Sequence, residues 1–241
     1  MKKLLLILLL VFPLHVHGAV YAVLVGVSEY AITENNLIYS HRDAMGMYEL
    51  LKKHTTPDKI KLLINRQAKH DNIVYYTKQL FLKAKPEDVV IFYFSGHGNK
   101  NVFLTHDKIL YFSTLQSIFK QTKAKRKLIF ADACLAGSLR QTNSRTTSNN
   151  QSLGNNVMLF LSSRSNQNSN EKQSLRNSVF TYYLLAGLKG EADANKDKYI
   201  TAKELFNFVY PKVKNTTNGK QIPVMWGKYD ENLIILNLNK K

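Results

Sequence analysis

The stretch that decides the fold is D-V-V-I-F-Y-F-S-G-H-G, residues 88–98. In it, six apolar or aromatic residues follow one another before the chain turns to serine, glycine and histidine. A run of this kind is typical of a strand that is buried on both faces of a parallel sheet. A second run, K-L-I-F-A-D-A-C-L-A-G at residues 127–137, passes in the same way from apolar to small residues. It contains Cys134, the only cysteine of the chain.

The segments around these two strands alternate between strand and helix patterns. Strands are predicted at residues 21–28, 59–65, 157–163, 222–225 and 233–236, and a hairpin at 101–112. Helices are predicted at residues 37–53, 71–84, 113–122, 179–189 and from 202 onwards, the second of them capped by Asp71. Alternation of strands with helices predicts an α/β fold with a mostly parallel central sheet.

Composition excludes a disordered chain and leaves the charge to be explained. The 241 residues are 44% hydrophobic and carry a formal net charge of +17. That is enough apolar material for a full core, and we interpret residues 20–241 as one domain because no repeat or linker is visible. The basic residues are spread along the chain, without zinc-finger spacing or a basic recognition helix. We therefore expect a solvated surface and no specific nucleic-acid partner, with a polyanion-binding surface protein as the alternative.

Residues 1–19, M-K-K-L-L-L-I-L-L-L-V-F-P-L-H-V-H-G-A, have the layout of a secretory signal peptide. An uncleaved anchor or a buried strand is the alternative, but the apolar run is shorter than the roughly 20 residues that span a bilayer. We expect an exported protein, periplasmic or extracellular, with no membrane span in the mature chain. A single cysteine cannot form an intramolecular disulfide there, so Cys134 is either a small buried side chain or a reactive one.

The carboxyl ends of neighbouring parallel strands form the functional crevice of an open α/β sheet. If the two runs are neighbours, His97 and Cys134 meet at one rim, where an imidazole can take the proton of the thiol. Gly96 and Gly98 would permit unusual backbone angles beside the histidine. The backbone N–H groups of Gly98 and Cys134 are candidates for binding an oxyanion. A structural histidine and a packed cysteine remain the alternative, and no G-x-S-x-G motif favours a serine hydrolase.

Here the sequence resembles a known family. F-Y-F-S-G-H-G and L-I-F-A-D-A-C-L-A-G-S are similar to the histidine and cysteine motifs of the caspase-like cysteine peptidases, nearest to metacaspases and their bacterial relatives. Y-A-V-L-V-G-V-S-E-Y, N-L-I-Y-S-H-R-D-A and S-V-F-T-Y-Y-L-L-A-G-L-K-G-E-A-D resemble further blocks in the same order. The resemblance implies a caspase-hemoglobinase three-layer α/β/α sandwich. It also implies a cysteine endopeptidase with a His97/Cys134 dyad that acts on peptides or proteins. Separately, we expect the protein to be a monomer.

The resemblance also implies a pocket for a basic side chain. Asp43, Asp132 and Ser95 stand at the matching positions, so cleavage after Arg or Lys is expected, since carboxylates favour a cation and resist an acid. The alternatives are a solvated helix residue for Asp43 and a turn former for Asp132. Leu135 and Ala136 depart from the His-Ser pair that often follows the nucleophile. The acidic cluster that binds activating calcium in some metacaspases has no clear counterpart, so no cofactor is expected for the chemistry.

Two further features remain open at this point. D-A-N-K-D-K-Y-I-T-A-K-E, residues 193–204, has the ligand spacing of a calcium loop, with Asp193, Asn195, Asp197 and Glu204 as candidate ligands. Lys198 stands where that loop normally has glycine, which favours the alternative of a polar turn before a helix with a Thr201/Glu204 capping box.

The polar stretch after Gly137 is predicted to be a surface loop, and its Arg140 and Arg145 are candidate self-cleavage sites for a basic-specific enzyme. An uncut spacer is the alternative for that loop. For the whole chain, the alternative to an enzyme is a catalytically silent module that keeps the fold for binding or scaffolding.

Overall fold

A six-stranded sheet forms the centre of the molecule. The structure is a computed structural model that describes residues 18–99, 101–133, 157–162 and 176–239. The strands of the sheet are β1 (Val20–Gly26), β2 (Ile60–Ile64), β3 (Val89–Ser95), β7 (Arg126–Asp132), β8 (Val157–Leu161) and β10 (Val224–Lys228). Their order is β10-β8-β7-β3-β1-β2, and every pair is parallel except β10 with β8. The predicted, mostly parallel α/β sheet is confirmed.

Helices cover both faces of this sheet. They are α1 (Ser40–Leu51), α2 (His70–Phe81), α3 (Phe112–Gln121), α4 (Val179–Ala186) and α5 (Ala202–Thr216). Helices α1, α4 and α5 share one apolar core with the sheet, and α2 and α3 share the other. Neighbouring strand residues alternate between these cores, as Tyr93 and Phe94 do. The three-layer sandwich is therefore present, and within the described residues no helix has the length and apolar character needed to cross a membrane.

Two small sheets flank the large one. Strands β4 (Gly98–Asn99), β5 (Val102–Leu104) and β6 (Ile109–Tyr111) form an antiparallel sheet directly after β3, which includes the predicted hairpin. Strands β9 (Tyr199–Thr201) and β11 (Ile234–Asn237) pair antiparallel beside α5. The first small sheet matters for function, because it fixes the path of the chain as it leaves the carboxyl end of β3.

The register of β3 with β7 brings the ends of both strands to the same level. Ser95 lies opposite Asp132, and the Gly96 N–H donates to the Asp132 carbonyl at 3.2 Å. The two apolar runs of the sequence are therefore neighbouring strands, as the prediction required. His97 and the residue after Asp132 leave the sheet at adjoining positions of one edge.

Two helix starts differ from the predictions. Helix α1 begins at Ser40 instead of residue 37, because the Leu37 N–H binds the Ser28 carbonyl and holds the preceding segment as a loop. Helix α2 begins at His70, so the predicted Asp71 cap is wrong. The Asp71 carboxylate accepts the His70 side chain at 2.7 Å instead, and the His70 N–H is bound by the Asp107 carboxylate.

The segment with calcium-loop spacing forms a polar turn that leads into α5. Thr201 and Glu204 make the predicted capping box, with each side chain bound to the backbone N–H of the other. Lys198 has a left-handed backbone, with φ 70°. Its N–H is bound by the Asp193 carboxylate at 3.1 Å, which holds the turn in that conformation. The turn therefore forms even though a lysine occupies the position where a calcium loop usually has glycine.

Candidate active site

His97 follows β3 directly and is half-buried. Its Nε2 lies 2.9 Å from the Asn35 carbonyl oxygen. A carbonyl oxygen only accepts, so the Nε2 of the neutral imidazole carries the hydrogen and Nδ1 keeps its lone pair. The loop between β1 and α1 therefore selects the tautomer in which Nδ1 is the proton acceptor.

Tyr30 holds the backbone of the same histidine. Its hydroxyl accepts the His97 N–H at 2.7 Å, and the two ring centroids are 5.2 Å apart. Gly96 makes this approach possible, because a Cβ there would lie 2.8 Å from the Tyr30 hydroxyl and 3.0 Å from the Phe94 ring. Among the described residues, positive φ angles at glycine occur at positions other than 96 and 98. The expectation of unusual backbone angles at Gly96 and Gly98 is therefore wrong, and close packing is what requires glycine at 96.

Asp43 lies in the first turn of α1 and has an exposed fraction of 0%. Its Oδ1 accepts the Asn177 side-chain amide at 2.9 Å and the Ser178 N–H at 3.0 Å, and its Oδ2 accepts the Ser95 hydroxyl at 2.9 Å. The alternative of a solvated helix residue is therefore wrong. Ser95 lies against Asp43, and the pocket that the resemblance implies for these residues stays a prediction.

Asp132 ends β7 and is also fully buried. The Ser162 hydroxyl donates to its Oδ1 at 2.7 Å, and the Thr181 hydroxyl donates to its Oδ2 at 2.9 Å. The Ser178 hydroxyl donates to the same Oδ2. Ser178 therefore contacts both acids, Asp43 through its backbone N–H and Asp132 through its hydroxyl. The structure brings the two predicted acids together in one buried acid pair, Asp43 and Asp132.

The two carboxyls of the acid pair influence each other. Burial, and then the charge of Asp132, raise the pKa of the Asp43 carboxyl from 3.8 to about 7, although its three hydrogen bonds act in the opposite direction. Burial and the same two acids raise the pKa of the Tyr93 hydroxyl well above its usual value. A cation placed between the acids would relieve the repulsion, so the pair is electrostatically suited to a basic group.

Other predicted site residues lie either outside the described residues or away from the acid pair. Cys134, Arg140 and Arg145 lie outside the described residues, and so do residues 1–17 of the predicted signal peptide. Gly98 is described as half-buried, at the start of β4. The candidate calcium ligands Asp193 and Asp197 accept backbone N–H groups within their own turn. Within the described part of the chain, no group of three or more His, Cys, Asp or Glu side chains is placed to hold a metal ion.

The model of the caspase domain matches residues 19–233, which is most of the chain. The chain belongs to the caspase domain family. This is a family of cysteine peptidases, and peptides or proteins are the substrates that its chemistry requires.

Similar proteins agree with this family. Residues of this caspase domain are 34% identical to metacaspase-2 of Arabidopsis thaliana over 105 residues, which is 40% of this chain and 25% of the relative. The chain thus matches only a quarter of that relative's length. Caspase-1 from Spodoptera frugiperda superimposes with a TM-score of 0.67 at 16% identity, covering 93% of this chain and 92% of the other. A protein from Geobacter sulfurreducens gives 0.63 at 15% identity, covering 88% and 95%. At these identities, the structural likeness supports the fold.

The sequence did not single out the residues that surround the acid pair of this caspase domain. Ser162, Asn177, Ser178 and Thr181 were missed, and so was Tyr93, although it lies within the quoted strand. A signal was present, because a buried tyrosine or threonine hydroxyl in an apolar run needs a hydrogen-bond partner. Tyr30 and Asn35 gave no such signal, since both stand in a polar loop.

The raised pKa of Asp43 predicts a pH-dependent stability. In the folded protein this carboxyl holds its proton up to about pH 7, whereas the unfolded chain loses it near 3.8. The stability from Asp43 is therefore complete below the lower value and is lost as pH rises to the higher one. We expect Asp43→Asn to equal wild type near pH 4 and to exceed it by about 2–4 kcal/mol at pH 8.

Chemical denaturation of both proteins at several pH values measures this difference. Asp58→Asn is the control, since Asp58 is exposed and its pKa is lowered by a hydrogen bond from Thr56. That control has no gain in stability at high pH. Equal stability of wild type and Asp43→Asn at every pH would contradict the prediction.

Proposed function

We propose that this caspase domain is an endopeptidase in which Cys134 is the nucleophile and His97 its proton acceptor. The observation that carries the proposal is the tautomer of the His97 imidazole. The Asn35 carbonyl fixes the hydrogen on Nε2, so Nδ1 is left to take a proton at the strand end beside β7. Cys134 follows β7 by two residues in the sequence, and a thiol with an imidazole in reach becomes a thiolate nucleophile.

The proposed reaction proceeds through an acyl-enzyme. His97 takes the thiol proton, and the Cys134 sulfur attacks the carbonyl carbon of the scissile peptide bond. The backbone N–H groups of Gly98 and Cys134 are proposed to bind the resulting oxyanion. The histidine then gives its proton to the leaving amine, and water hydrolyses the thioester. No cofactor takes part in these steps.

We propose further that the acid pair selects a basic residue before the cut bond, Arg or Lys. The support is the burial of Asp43 and Asp132 within one hydrogen-bonded group. Two carboxylates in one buried place repel each other and lose hydration, and a substrate cation offsets both costs. A glutamate or aspartate side chain in the same place would add to the repulsion.

Cleavage of a peptide panel tests the proposal. The mature protein is incubated under reducing conditions with peptides that carry Arg, Lys, citrulline, Leu or Glu before the fluorogenic group. The reactions are run with calcium and with a chelator. We expect cleavage of the Arg and Lys peptides by wild type and none by Cys134→Ala. Equal behaviour of the two proteins would favour the silent binding module instead.

Self-cleavage is a further expectation for a basic-specific enzyme that carries Arg140 and Arg145 shortly after the nucleophile. We propose that purified wild type is cut at one or both, and that Cys134→Ala remains intact. Intact-mass spectrometry of both proteins after equal incubation measures this, and Arg140→Gln with Arg145→Gln removes the cut sites without removing the nucleophile. The same intact mass in wild type and Cys134→Ala would contradict it.

Export remains part of the proposal, because residues 1–19 have the layout of a signal peptide. An N-terminal sequence of the protein recovered from the host's periplasm or medium tests this directly. A mature protein that begins near residue 20 is expected, whereas a protein that retains Met1 and stays with the cells would contradict export.

A further inference from the structure

A relay of hydroxyl groups connects Asp132 to a buried tyrosine. The Thr181 hydroxyl has a single hydrogen, which it donates to Asp132 Oδ2 at 2.9 Å. The Tyr93 hydroxyl lies 2.6 Å from the Thr181 oxygen, so Tyr93 must be the donor of that bond. All three side chains have an exposed fraction of 0%. Hydrogens therefore point in one direction, from Tyr93 through Thr181 to the carboxylate.

This arrangement favours the ionised form of Asp132. The hydroxyls of Ser162, Ser178 and Thr181 all act as donors to it. Donation to a carboxylate is roughly twice as strong as donation to a neutral acceptor, and a donor chain polarises each of its members. Protonation of Oδ2 would cost a hydrogen bond there, because two hydroxyls donate to that oxygen, and protonation of Oδ1 would displace the hydrogen that Ser162 donates to it.

Asp43 differs in a way that lets it be the neutral member of the pair. Its Oδ1 must accept, because the Asn177 amide and the Ser178 N–H can only donate. Its Oδ2 faces the Ser95 hydroxyl, which can accept as well as donate. When Oδ2 is protonated, the Ser95 hydroxyl accepts from it and turns its own hydrogen to the Tyr93 oxygen, with which Ser95 also forms a hydrogen bond. Asp43 therefore keeps each of these hydrogen bonds when it is neutral.

The hydrogen bonds to the acid pair given above all come from neutral groups. Among the described residues, the charges that act on Asp43 and on Tyr93 of β3 are those of the two acids, from α1 and β7. The side chains that reach the pair from α4, from the residue before α4 and from the end of β8 are neutral hydroxyls and an amide. These hydrogen bonds therefore bear directly on which acid of the pair is charged.

We propose that Thr181 and Tyr93 are positioning residues for substrate selection, which hold Asp132 as the charged member of the acid pair. The inference rests on the proposed function, because it deepens the basic specificity proposed there. Neither residue touches the substrate. Their hydroxyls fix where the negative charge lies, and Asp43 becomes charged when a cationic side chain enters.

Kinetics of Thr181→Val on two peptides test the relay. The peptides differ only in Arg or citrulline before the cut, so their shape is matched and their charge is not. We expect Thr181→Val to lose about tenfold in kcat/KM on the Arg peptide, mainly through KM, with little change on the citrulline peptide. Tyr93→Phe gives a smaller loss of the same kind, and Thr181→Ser, which keeps the hydroxyl, restores the preference.

Thr77→Val is the matched control. Thr77 is also fully buried, but its hydroxyl bonds within α2, to the Ile73 carbonyl at 2.6 Å. We expect it to keep the ratio between the two peptides. Equal loss on both peptides in Thr181→Val would show a general structural role and overturn the relay. A wild type that cuts both peptides equally overturns the basic specificity itself, and the selection role with it.

A measurement without substrate separates the relay from the peptidase proposal. The side-chain carboxyls are labelled with carbon-13 and titrated by NMR in wild type and Thr181→Val, with Asp43→Asn and Asp132→Asn to assign the signals. We expect the wild-type Asp43 signal to move near neutral pH and the Asp132 signal to stay in place. In Thr181→Val the Asp132 signal moves as well. Movement of Asp132 instead of Asp43 in wild type would overturn the inference even in an inactive protein.

Discussion

His97→Gln is expected to lose at least about a thousandfold in kcat/KM while the fold is retained. Glutamine can donate its amide hydrogen to the Asn35 carbonyl, as the imidazole Nε2 does at 2.9 Å. It has no group that takes a proton from a thiol. The substitution therefore keeps the local hydrogen bond and removes only the base. Hydrolysis of an Arg peptide measures the loss of kcat/KM. Thermal unfolding of the same preparations measures whether the fold is retained.

The rate at which iodoacetamide alkylates the protein gives a second readout for His97. Cys134 is the only cysteine, so every adduct reports on the proposed nucleophile. We expect His97→Gln to slow alkylation at neutral pH and to leave it unchanged at high pH, where the thiol ionises without help. His70→Gln, at the start of α2, is the control and keeps wild-type rates. Full peptidase activity in His97→Gln would rule out the dyad.

Asp132→Asn is expected to lower kcat/KM on an Arg peptide by about a hundredfold, with far less change on the matched citrulline peptide. Asparagine keeps the shape of the side chain, and its oxygen still accepts from hydroxyl donors. What disappears is the negative charge that would meet the substrate cation in a buried place. The ratio of kcat/KM for the two peptides is the quantity to measure, because it cancels any loss of folded protein.

Asp88→Asn is the matched control for Asp132→Asn. Asp88 is also a buried carboxylate, but it lies before β3 and binds the N–H groups of Ala19 and Lys85 at 2.6 and 2.7 Å. We expect its replacement to lower stability and to leave the Arg-to-citrulline ratio unchanged. The same fall of the ratio in both variants would mean that Asp132 does not select the substrate.

The sheet and the ends of β3 and β7 were predictable from the sequence because the patterns that mark them lie within short segments of the chain. An unbroken apolar run followed by small residues marks a buried strand and the turn after it. Residues 88–98 and 127–137 both have that pattern, and their apolar parts form β3 (Val89–Ser95) and β7 (Arg126–Asp132). Asp43 and Asp132 were placed in one pocket by resemblance to a family, since nothing in their local sequence connects them.

The groups that hold the acid pair were not predictable, because their contacts are distant in the sequence. The Ser178 N–H reaches Asp43 across 135 residues, and the Ser178 hydroxyl reaches Asp132 across 46. In its local structure, Ser178 is the N-cap of α4, where its hydroxyl accepts the Thr181 N–H, and this role is unrelated to either acid. The predicted start of α1 was wrong for a related reason. The hydrogen bond from the Leu37 N–H to the Ser28 carbonyl holds residues 37–39 as a loop, although their apolar spacing is helical.

The alternation of side chains along β3 separates the residues of two proposed roles, substrate selection and catalysis. Tyr93 packs with α1 and α4 on the face that holds the acid pair, and its neighbour Phe94 packs with Tyr30 on the opposite face, beneath His97. The supports of the two groups therefore belong to different cores. Substitutions that alter the proposed choice of substrate can accumulate in one core without disturbing His97. The free-energy effects of substitutions in the two cores should therefore be additive. The proposed peptidase is accordingly suited to acquiring new cleavage preferences, by evolution or by engineering, while the proposed dyad is retained.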